Sequence, residues 1–303
     1  TRFHGVGVES NITNRNAYRS MLFSTHELEQ YISGVILFDE TFHQQQKGEV
    51  NTTIPQYLNK KNILAGIKLD TGAKVLANHD PEKITEGLDG LRQRIINYRD
   101  KGASFSKWRA VITIGNDIPT KACIHANAHA LARYASLCQE NGLVPIVEPE
   151  ILMNGTHKIQ QCYDVTNDVL ECVFQELKLL KVNLSAIILK PNMVLTGDQS
   201  GEQIDDKTIA KMTFEVLEKN VPKSVPGIAF LSGGQSSDLA AKRLNMLNQI
   251  YLDKRPWSLT FSYGRALQQD ALSAWAKKDN KTAQEALIYR AKMNHLASTG
   301  ALN

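Results

Sequence analysis

The sequence has few cysteines and no long apolar segment. Its 303 residues include four cysteines, and none of them forms a Cys-x-x-Cys pair. That spacing marks zinc knuckles and thioredoxin-type redox sites, so neither class is favoured. Scattered cysteines in a chain of this size are typical of reduced thiols inside a cell, so we expect a cytoplasmic protein. No apolar run approaches the roughly 20 residues of a membrane-spanning helix, and we expect no membrane partner.

The sequence also lacks the motifs of nucleotide and nucleic-acid binding. No Gly-x-Gly-x-x-Gly follows an apolar run, which argues against a dinucleotide-binding fold. There is no long run of lysine and arginine and no aromatic pattern of the RNA-binding type, and the net charge is only +4. We therefore expect no nucleic-acid partner. A mildly positive chain suits small anionic metabolites at least as well.

Seven short apolar runs alternate with longer amphipathic segments. The runs are rich in isoleucine and valine, which is typical of strands that are buried on both faces. The predicted strands cover residues 34–38, 63–69, 109–114, 143–147, 186–189, 227–231 and 258–261. Apolar residues at spacings of three and four predict helices over residues 81–100, 122–140, 158–180, 205–220 and 236–249, with further helical segments between 266 and 296.

This alternation predicts a single α/β domain over residues 1–303, built either as a barrel or as a doubly wound sheet. The strand centres lie roughly 30 to 45 residues apart, which is the size of a βα repeat. A closed barrel of this type has eight strands, whereas the sequence shows seven. We therefore expect one strand to have been missed or to precede Thr1.

Charged residues cluster where the predicted strands end. Side chains two residues apart share one face of a strand, and inward-pointing charges are costly unless they partner one another. In α/β barrels this carboxyl end is where active sites are built. The charges in question are Lys68 with Asp70, Lys107 with Arg109, Glu148 with Glu150, and Lys190.

Lys190 is the candidate nucleophile of this cluster. A buried lysine beside another cation, here Lys107, has a lowered pKa, so more of its neutral amine can attack a carbonyl. Glu148 and Glu150 can divide acid and base roles if their surroundings separate their pKa values. Taken alone, a strand-end lysine is more often solvated or ion-paired, and the two glutamates are as readily structural. The combination of all these residues favours a catalytic site.

Two loops after the last strands predict phosphate binding. Residues 232–238 read Ser-Gly-Gly-Gln-Ser-Ser-Asp, and residues 262–265 read Ser-Tyr-Gly-Arg. Glycine lets the backbone approach a ligand, and the N–H groups at a helix start bind anions. The loops after strands seven and eight of a barrel often hold phosphate. An ordinary turn between a strand and a helix is the alternative.

His125 and His129 lie four residues apart on a predicted helix, a spacing that suggests a metal site. The segment reads His-Ala-Asn-Ala-His and lacks the glutamate that a zinc protease uses as its base. Surface or hydrogen-bonded histidines are therefore favoured, and we expect no metal.

Several of these segments resemble one known family. The strings LDGL (88–91), KWR (107–109), PIVEPEIL (145–152), LKPNMV (189–194), FLSGGQS (230–236) and TFSYGRAL (260–267) closely resemble class I fructose-bisphosphate aldolase. So do GVILFDET (34–41) and GIKLDTG (66–72), and the similarity runs from near Thr1 to about residue 296.

The resemblance implies a (β/α)₈ TIM barrel and reversible aldol cleavage through a lysine Schiff base. Fructose 1,6-bisphosphate would give dihydroxyacetone phosphate and glyceraldehyde 3-phosphate, in glycolysis and gluconeogenesis, without a metal or other cofactor. The expected partner is this phosphorylated sugar, and the expected assembly is a homotetramer.

The resemblance also implies a role for each matching residue. The catalytic set comprises the Schiff-base lysine Lys190, the acid/base glutamate Glu148, its carboxylate neighbour Glu150, and Lys107, which supports charge during cleavage. The ketone-side phosphate site matches Ser232, Gly233, Gly264 and Arg265. The other phosphate site matches Lys68, Arg109 and, at the chain end, Arg2.

Two departures from the family keep alternatives open. The family's strand with Ala-Asp-Glu-Ser-Thr, whose aspartate takes part in catalysis, would precede Thr1, and its tail ending in tyrosine would follow Asn303. We expect the natural protein to continue beyond both. One alternative is a catalytically weak, aldolase-like binding or scaffold protein. Another is a Schiff-base aldolase for a different phosphorylated ketose.

Overall fold

The computed structural model describes residues 2–302, which form nine strands and ten α-helices. The strands are β1 (Gly34–Leu37), β2 (Leu64–Lys68), β3 (Gly72–Val75), β4 (Lys83–Glu86), β5 (Phe105–Ile112), β6 (Val144–Ile151), β7 (Ile188–Leu189), β8 (Gly227–Phe230) and β9 (Ser258–Phe261). The helices are α1 (Ile12–Phe23), α2 (Asp39–Phe42), α3 (Ile54–Lys60), α4 (Leu91–Asp100), α5 (Lys121–Glu140), α6 (Ile159–Leu179), α7 (Asp206–Asn220), α8 (Ser237–Tyr251), α9 (Arg265–Ala276) and α10 (Asn280–Ser298).

Seven of the strands form one parallel sheet in the order β1-β2-β5-β6-β7-β8-β9. Each strand pairs with the next sheet strand along the chain. A doubly wound sheet reverses its order at a switch point, whereas a barrel adds its strands in sequence. The sequence allows either a barrel or a doubly wound sheet, and the strand order favours the barrel. The strand expected before Thr1 lies outside the described residues.

The apolar runs locate all seven sheet strands, but their ends differ from the predicted ends. β6 continues to Ile151 instead of stopping at residue 147, so Glu148 and Glu150 lie within the strand. β5 begins at Phe105 and ends at Ile112. β7 has only two residues, because a 3₁₀ turn occupies Leu184–Ala186. Hydrogen bonds to the neighbouring strand extend β6 beyond its purely apolar segment.

The helix predicted over residues 81–100 is wrong in its first half. Lys83–Glu86 is β4, which pairs antiparallel with β3, and α4 starts only at Leu91. Gly87 and Gly90 have φ values of 123° and 65°, which interrupt a helix. The three- and four-residue spacing of Ile84, Leu88 and Leu91 imitates a helical face although the chain reverses there. The helices predicted at 122–140, 158–180, 205–220 and 236–249 are confirmed to within two residues by α5, α6, α7 and α8.

Helix α5 is anchored at its start by the β3–β4 hairpin. The hydroxyl of Thr120 accepts a hydrogen bond from the backbone N–H of Cys123, as an N-cap residue does. The buried carboxylate of Glu82 accepts bonds from both the backbone N–H and the hydroxyl of Thr120, each at 2.7 Å. The hairpin and α5 are thereby fixed to each other.

One hydrophobic cluster runs from Phe3 to Ala297 and includes residues from the sheet and the surrounding helices. Among residues 2–302, no helix has both the length and the apolar character needed to cross a membrane.

Candidate active site

Four charged residues from three neighbouring strands meet at the carboxyl end of the sheet. Lys107 and Arg109 lie on β5, Glu148 lies on β6, and Lys190 directly follows β7. Arg109 is the register partner of Glu148, and the backbone N–H of Lys190 donates to the carbonyl of Val147 at 2.8 Å. Strand pairing therefore places these side chains side by side.

Glu148 lies between the two lysines. One carboxylate oxygen, Oε1, is 3.1 Å from Lys190 Nζ, and the other, Oε2, is 3.1 Å from Lys107 Nζ. All three residues are at least nine-tenths buried. A buried carboxylate flanked by two ammonium groups is partnered on both oxygens, which offsets the cost of its burial.

The lysine and the glutamate both have pKa values below their ordinary ones. Burial lowers the pKa of Lys190, with a contribution from the charge of Lys107, although Glu148 opposes the shift. Burial alone would raise the pKa of Glu148, but the ammonium groups of Lys190 and Lys107 lower it. The site thus combines a carboxylate with a lysine whose proton is more easily lost than usual.

A second ion pair, between Arg109 and Glu150, lies beside the one formed by Glu148 and the two lysines. Arg109 Nε makes a hydrogen-bonded ion pair with Glu150 Oε2. This pair raises the pKa of Arg109 although burial opposes the change. The Arg109 side chain remains 42% exposed, so it can also reach a ligand in the cleft.

The cluster opens into a cleft of about 540 Å³, a size that suits a small-molecule ligand. Ser232 and Gly233 line it after β8, and Ser262, Gly264 and Arg265 line it after β9. Its lining is completed by Arg2, Arg109, Glu148, Glu150, Lys190 and Leu231.

The two loops bring cations and helix starts to the same end of the cleft. Gly233 has a φ of 58°, which lets the loop turn before α8. A Cβ on Gly264 would lie 3.0 Å from Arg2 Nη2, and one on Gly234 would lie 3.9 Å from Arg265 Nη2. Both guanidinium groups therefore lie close to the glycine backbones. The starts of α8 and α9 follow these loops, and the first N–H groups of a helix, which lack intrahelical acceptors, are suited to an anion.

Lys68 and Lys107 do not line this cleft, although nine of the eleven residues singled out from the sequence do. Lys107 contacts the cleft residue Glu148, with 3.1 Å between Nζ and Oε2. The Lys68 ammonium is bonded to Asp70, at 2.7 Å from its carbonyl oxygen and 2.5 Å from its carboxylate.

Two residues of the site, Ser262 and Asp70, lie in segments that the sequence marks but were given no role there. Ser262 lines the cleft together with Gly264 and Arg265 of the same loop, and its position in the Ser-Tyr-Gly-Arg segment was the available signal. Asp70 contacts Lys68, Lys107 and the backbone N–H of Arg109. Its shared strand face with Lys68 indicated the first of these contacts, but not the two with residues of β5.

The histidine pair on α5 binds a carboxylate. His125 Nε2 and His129 Nδ1 contact the two oxygens of Glu176 on α6 at 3.0 and 2.9 Å. This arrangement agrees with the prediction of hydrogen-bonded histidines. Between residues 2 and 302, no group of three or more histidine, cysteine or acidic side chains is arranged to hold a metal.

The fold and the site together define a parallel βα-barrel protein with a buried lysine–carboxylate centre and an arginine-lined anion cleft. The whole chain, residues 1–303, matches the family model described as fructose-bisphosphate aldolase class-I. The chain belongs to the class I fructose-bisphosphate aldolase family. The family and the barrel fold expected from the sequence are confirmed.

Individual relatives agree with this assignment. The chain is 49% identical over 302 residues to a probable fructose-bisphosphate aldolase class 1 of Xanthomonas campestris pv. campestris, covering 99% of this chain and 89% of the relative. It is 48% identical over 301 residues to the cytosolic fructose-bisphosphate aldolase 4 of Arabidopsis thaliana, covering 99% and 76%. A solved aldolase from Plasmodium falciparum, in complex with TRAP and a small-molecule inhibitor, superposes with a TM-score of 0.95 at 44% identity, covering 100% of this chain and 87% of that one.

Proposed function

We propose that this protein reversibly cleaves fructose 1,6-bisphosphate to dihydroxyacetone phosphate and glyceraldehyde 3-phosphate through a Schiff base on Lys190. Membership of the class I aldolase family gives the reaction class. The observation that supports the residue assignment is the buried lysine with a lowered pKa, held 3.1 Å from a buried carboxylate beside an anion cleft.

The first half of the reaction forms the covalent intermediate. The neutral amine of Lys190 attacks the ketone carbon, and the carbonyl oxygen takes up a proton to give a carbinolamine. Glu148 is placed to pass a proton to the departing hydroxyl, which leaves as water while the nitrogen forms the C=N⁺ bond. The neutral Lys190 amine thus loses one of its two protons, keeps the other as the iminium N–H, and gains one double bond to carbon.

The second half breaks the carbon–carbon bond. The iminium accepts the electron pair of the C3–C4 bond and becomes an enamine. The Glu148 carboxylate, which gave up its proton in the dehydration, is placed to take the proton of the C4 hydroxyl as that carbon becomes the aldehyde. Protonation of the enamine and hydrolysis of the resulting iminium by water would then release dihydroxyacetone phosphate and the free lysine. Lys107 lies 3.1 Å from Glu148, where its positive charge can stabilise the charge that develops during these steps. Glu150 holds Arg109 in place at the cleft.

The two phosphates are assigned to two sets of residues in the cleft. Ser232, Gly233, Gly264 and Arg265 would bind the phosphate on the ketone side, through the N–H groups at two helix starts and one guanidinium. Arg109 would bind the other phosphate, together with Lys68 if its ammonium turns from Asp70 toward the ligand. The resemblance assigns Arg2 to this second phosphate, but its guanidinium lies beside Gly264, so it would contact the ketone-side phosphate.

We further infer a cytoplasmic homotetramer with one domain per chain. The cytosolic isozymes among the relatives support the location, as in Arabidopsis thaliana and Pisum sativum. The single hydrophobic cluster supports one domain, and the resemblance to the class I family supports the tetramer. The alternative of a weak binding or scaffold protein gains no support from the comparisons.

Substrate turnover tests this function. The purified protein is expected to release triose phosphate from fructose 1,6-bisphosphate in the presence of excess EDTA, because the iminium serves as the electron sink. Lys190→Met should lose this activity, whereas Lys61→Met should keep it. Lys61 is a matched control, since it is also largely buried and ion-paired with a glutamate but lies outside the cleft.

Three results would count against the proposal. Turnover that EDTA abolishes and a divalent cation restores would contradict the Schiff-base chemistry. Turnover retained by Lys190→Met would contradict the lysine assignment. Faster turnover of fructose 1-phosphate than of the bisphosphate would shift the substrate to another phosphorylated ketose.

A further inference from the structure

The carboxylate of Asp70 is buried in the centre of the charged cluster, although the mechanism proposed above does not use it. Its side chain is only 3% exposed. Oδ1 lies 2.5 Å from Lys68 Nζ, and Oδ2 lies 3.9 Å from Lys107 Nζ. Oδ2 also accepts a hydrogen bond from the backbone N–H of Arg109 at 3.2 Å. One aspartate therefore contacts three of the residues assigned to catalysis and phosphate binding.

The Lys107 ammonium is held between two carboxylates. Glu148 Oε2 is 3.1 Å away on one side, and Asp70 Oδ2 is 3.9 Å away on the other. Attraction from both sides limits where the ammonium can move. Without Asp70, Lys107 would be drawn wholly toward Glu148 and would compete with Lys190 for that carboxylate.

The position of Asp70 is itself fixed by the backbone. Asp70 follows β2, and its bond to the Arg109 N–H ties it to β5. Its carbonyl and its carboxylate both bind the Lys68 ammonium, which turns Lys68 back toward its own strand end. A carboxylate with this many fixed contacts is a rigid element of the site rather than a solvated surface charge.

We propose that Asp70 is a positioning residue of this site, whose carboxylate holds the Lys107 ammonium in place and sets the net charge around Lys190. The inference rests on the proposed function. The charged groups that share this face are Lys68 from β2, Lys107 and Arg109 from β5, Glu148 and Glu150 from β6, and Lys190 after β7.

The first test uses Asp70→Asn, which keeps the shape of the side chain and removes its charge. Dihydroxyacetone phosphate is incubated with the protein over a range of pH, and the iminium is trapped with borohydride. Removing a negative charge disfavours the ammonium form of Lys190, so the midpoint of trapping should move to lower pH by roughly half a unit. The kcat for cleavage should fall roughly 10- to 100-fold because Lys107 is no longer held in place, with KM changed less than about threefold.

Glu82→Gln is the matched control. Glu82 is also a buried carboxylate with two hydrogen bonds, but its partners belong to Thr120 at the start of α5. A general effect of removing a buried charge would lower stability in both variants. We expect only Asp70→Asn to move the pH midpoint and the kcat.

A second comparison decides whether Asp70 acts on Lys107 or merely neutralises Lys68. Asp70→Asn is placed in a Lys68→Met background, which keeps the charge balance and remains informative if Asp70→Asn alone does not fold. Action through Lys107 predicts the same pH shift and the same loss of kcat in both backgrounds. If both effects disappear beside Lys68→Met, the proposal is overturned.

Failure of the proposal is separable from failure of the proposed function. If the wild-type protein forms no adduct, the aldolase assignment fails. If the wild-type protein forms the adduct while Asp70→Asn matches Glu82→Gln in pH midpoint and kcat within twofold, only the role of Asp70 is overturned.

Discussion

At the scale of single residues, the site depends on the balance of charge around one lysine. Burial and Lys107 lower the pKa of Lys190, whereas the carboxylate of Glu148 raises it. The same two lysines lower the pKa of Glu148. The lysine therefore releases its proton more readily while a carboxylate remains within 3.1 Å to exchange protons with the substrate.

Glu148→Gln should separate these two effects. Loss of the carboxylate removes the group that raises the pKa of Lys190, so the pH midpoint of adduct formation should move further down. Turnover should nevertheless fall by roughly 10²- to 10⁴-fold, because proton transfer loses its acid/base group. Glu29→Gln, which removes the partner of Lys61 outside the cleft, is the control. An unchanged or raised midpoint in Glu148→Gln would be inconsistent with this charge balance.

The left-handed backbone of Gly233 should be needed for phosphate binding. Its φ of 58° is strained for alanine by about 1–2 kcal/mol, and relief of that strain would turn the loop N–H groups away from a bound phosphate. Gly233→Ala should weaken the binding of dihydroxyacetone phosphate roughly 5- to 30-fold in calorimetry. Gly142→Ala has a comparable φ of 77° at the end of α5 and should bind normally. Equal losses in both variants would show that the effect is not local to the loop.

At the scale of elements, the hairpin and α5 form the support on one side of the cluster. Thr85 Oγ1 donates to the Arg109 carbonyl at 2.7 Å, and Glu82 binds the N-cap Thr120. The hairpin thus contacts the strand that carries Lys107 and the helix that packs behind it.

Glu82→Gln should lower the free energy of unfolding by roughly 1–3 kcal/mol, because a buried pair of hydrogen bonds loses its charged acceptor. Urea unfolding monitored by circular dichroism measures the change. Glu86→Gln in the same hairpin is exposed and should stay within about 0.5 kcal/mol of the wild type. If the two variants unfold alike, the anchor of α5 lies elsewhere.

The elements also show what the sequence can and cannot predict. The apolar runs locate every strand of the parallel sheet because each strand contains a run of buried apolar residues. The charged residues of β5 and β6 shift the ends of these strands away from the predicted ones. The β3–β4 hairpin escapes detection, since the spacing of Ile84, Leu88 and Leu91 imitates a helix. The contact of Asp70 with Lys107 also escapes it, because it depends on the register between β2 and β5, where Lys68 pairs with Lys107. Periodicity within one strand carries no information on that register.

At the scale of the whole molecule, sequential strand order brings the ends of β5, β6 and β7 together, with the loops after β8 and β9 beside them. The proposed Schiff-base lysine and the proposed phosphate loops come from segments far apart in the chain, and the parallel sheet makes them neighbours. The motif strings identify the family from the sequence, but they do not show that Lys68 bonds to Asp70 instead of lining the cleft.

The proposed tetramer has a direct test at this scale. Light scattering coupled to size-exclusion chromatography should give a mass of about four times the 33.8 kDa chain at micromolar concentration. A single monomeric species there would contradict the proposed assembly, and would leave the assignment of the active site untouched.

The Schiff-base assignment is tested most directly by finding the residue that carries the covalent intermediate. The protein is incubated with dihydroxyacetone phosphate, reduced with borohydride, digested and analysed by mass spectrometry. We predict one adduct, on Lys190, which is absent in Lys190→Met and retained in Lys61→Met. A folded wild-type protein that forms no adduct, or that carries it on another lysine such as Lys107, would contradict the assignment of Lys190 as the Schiff-base lysine.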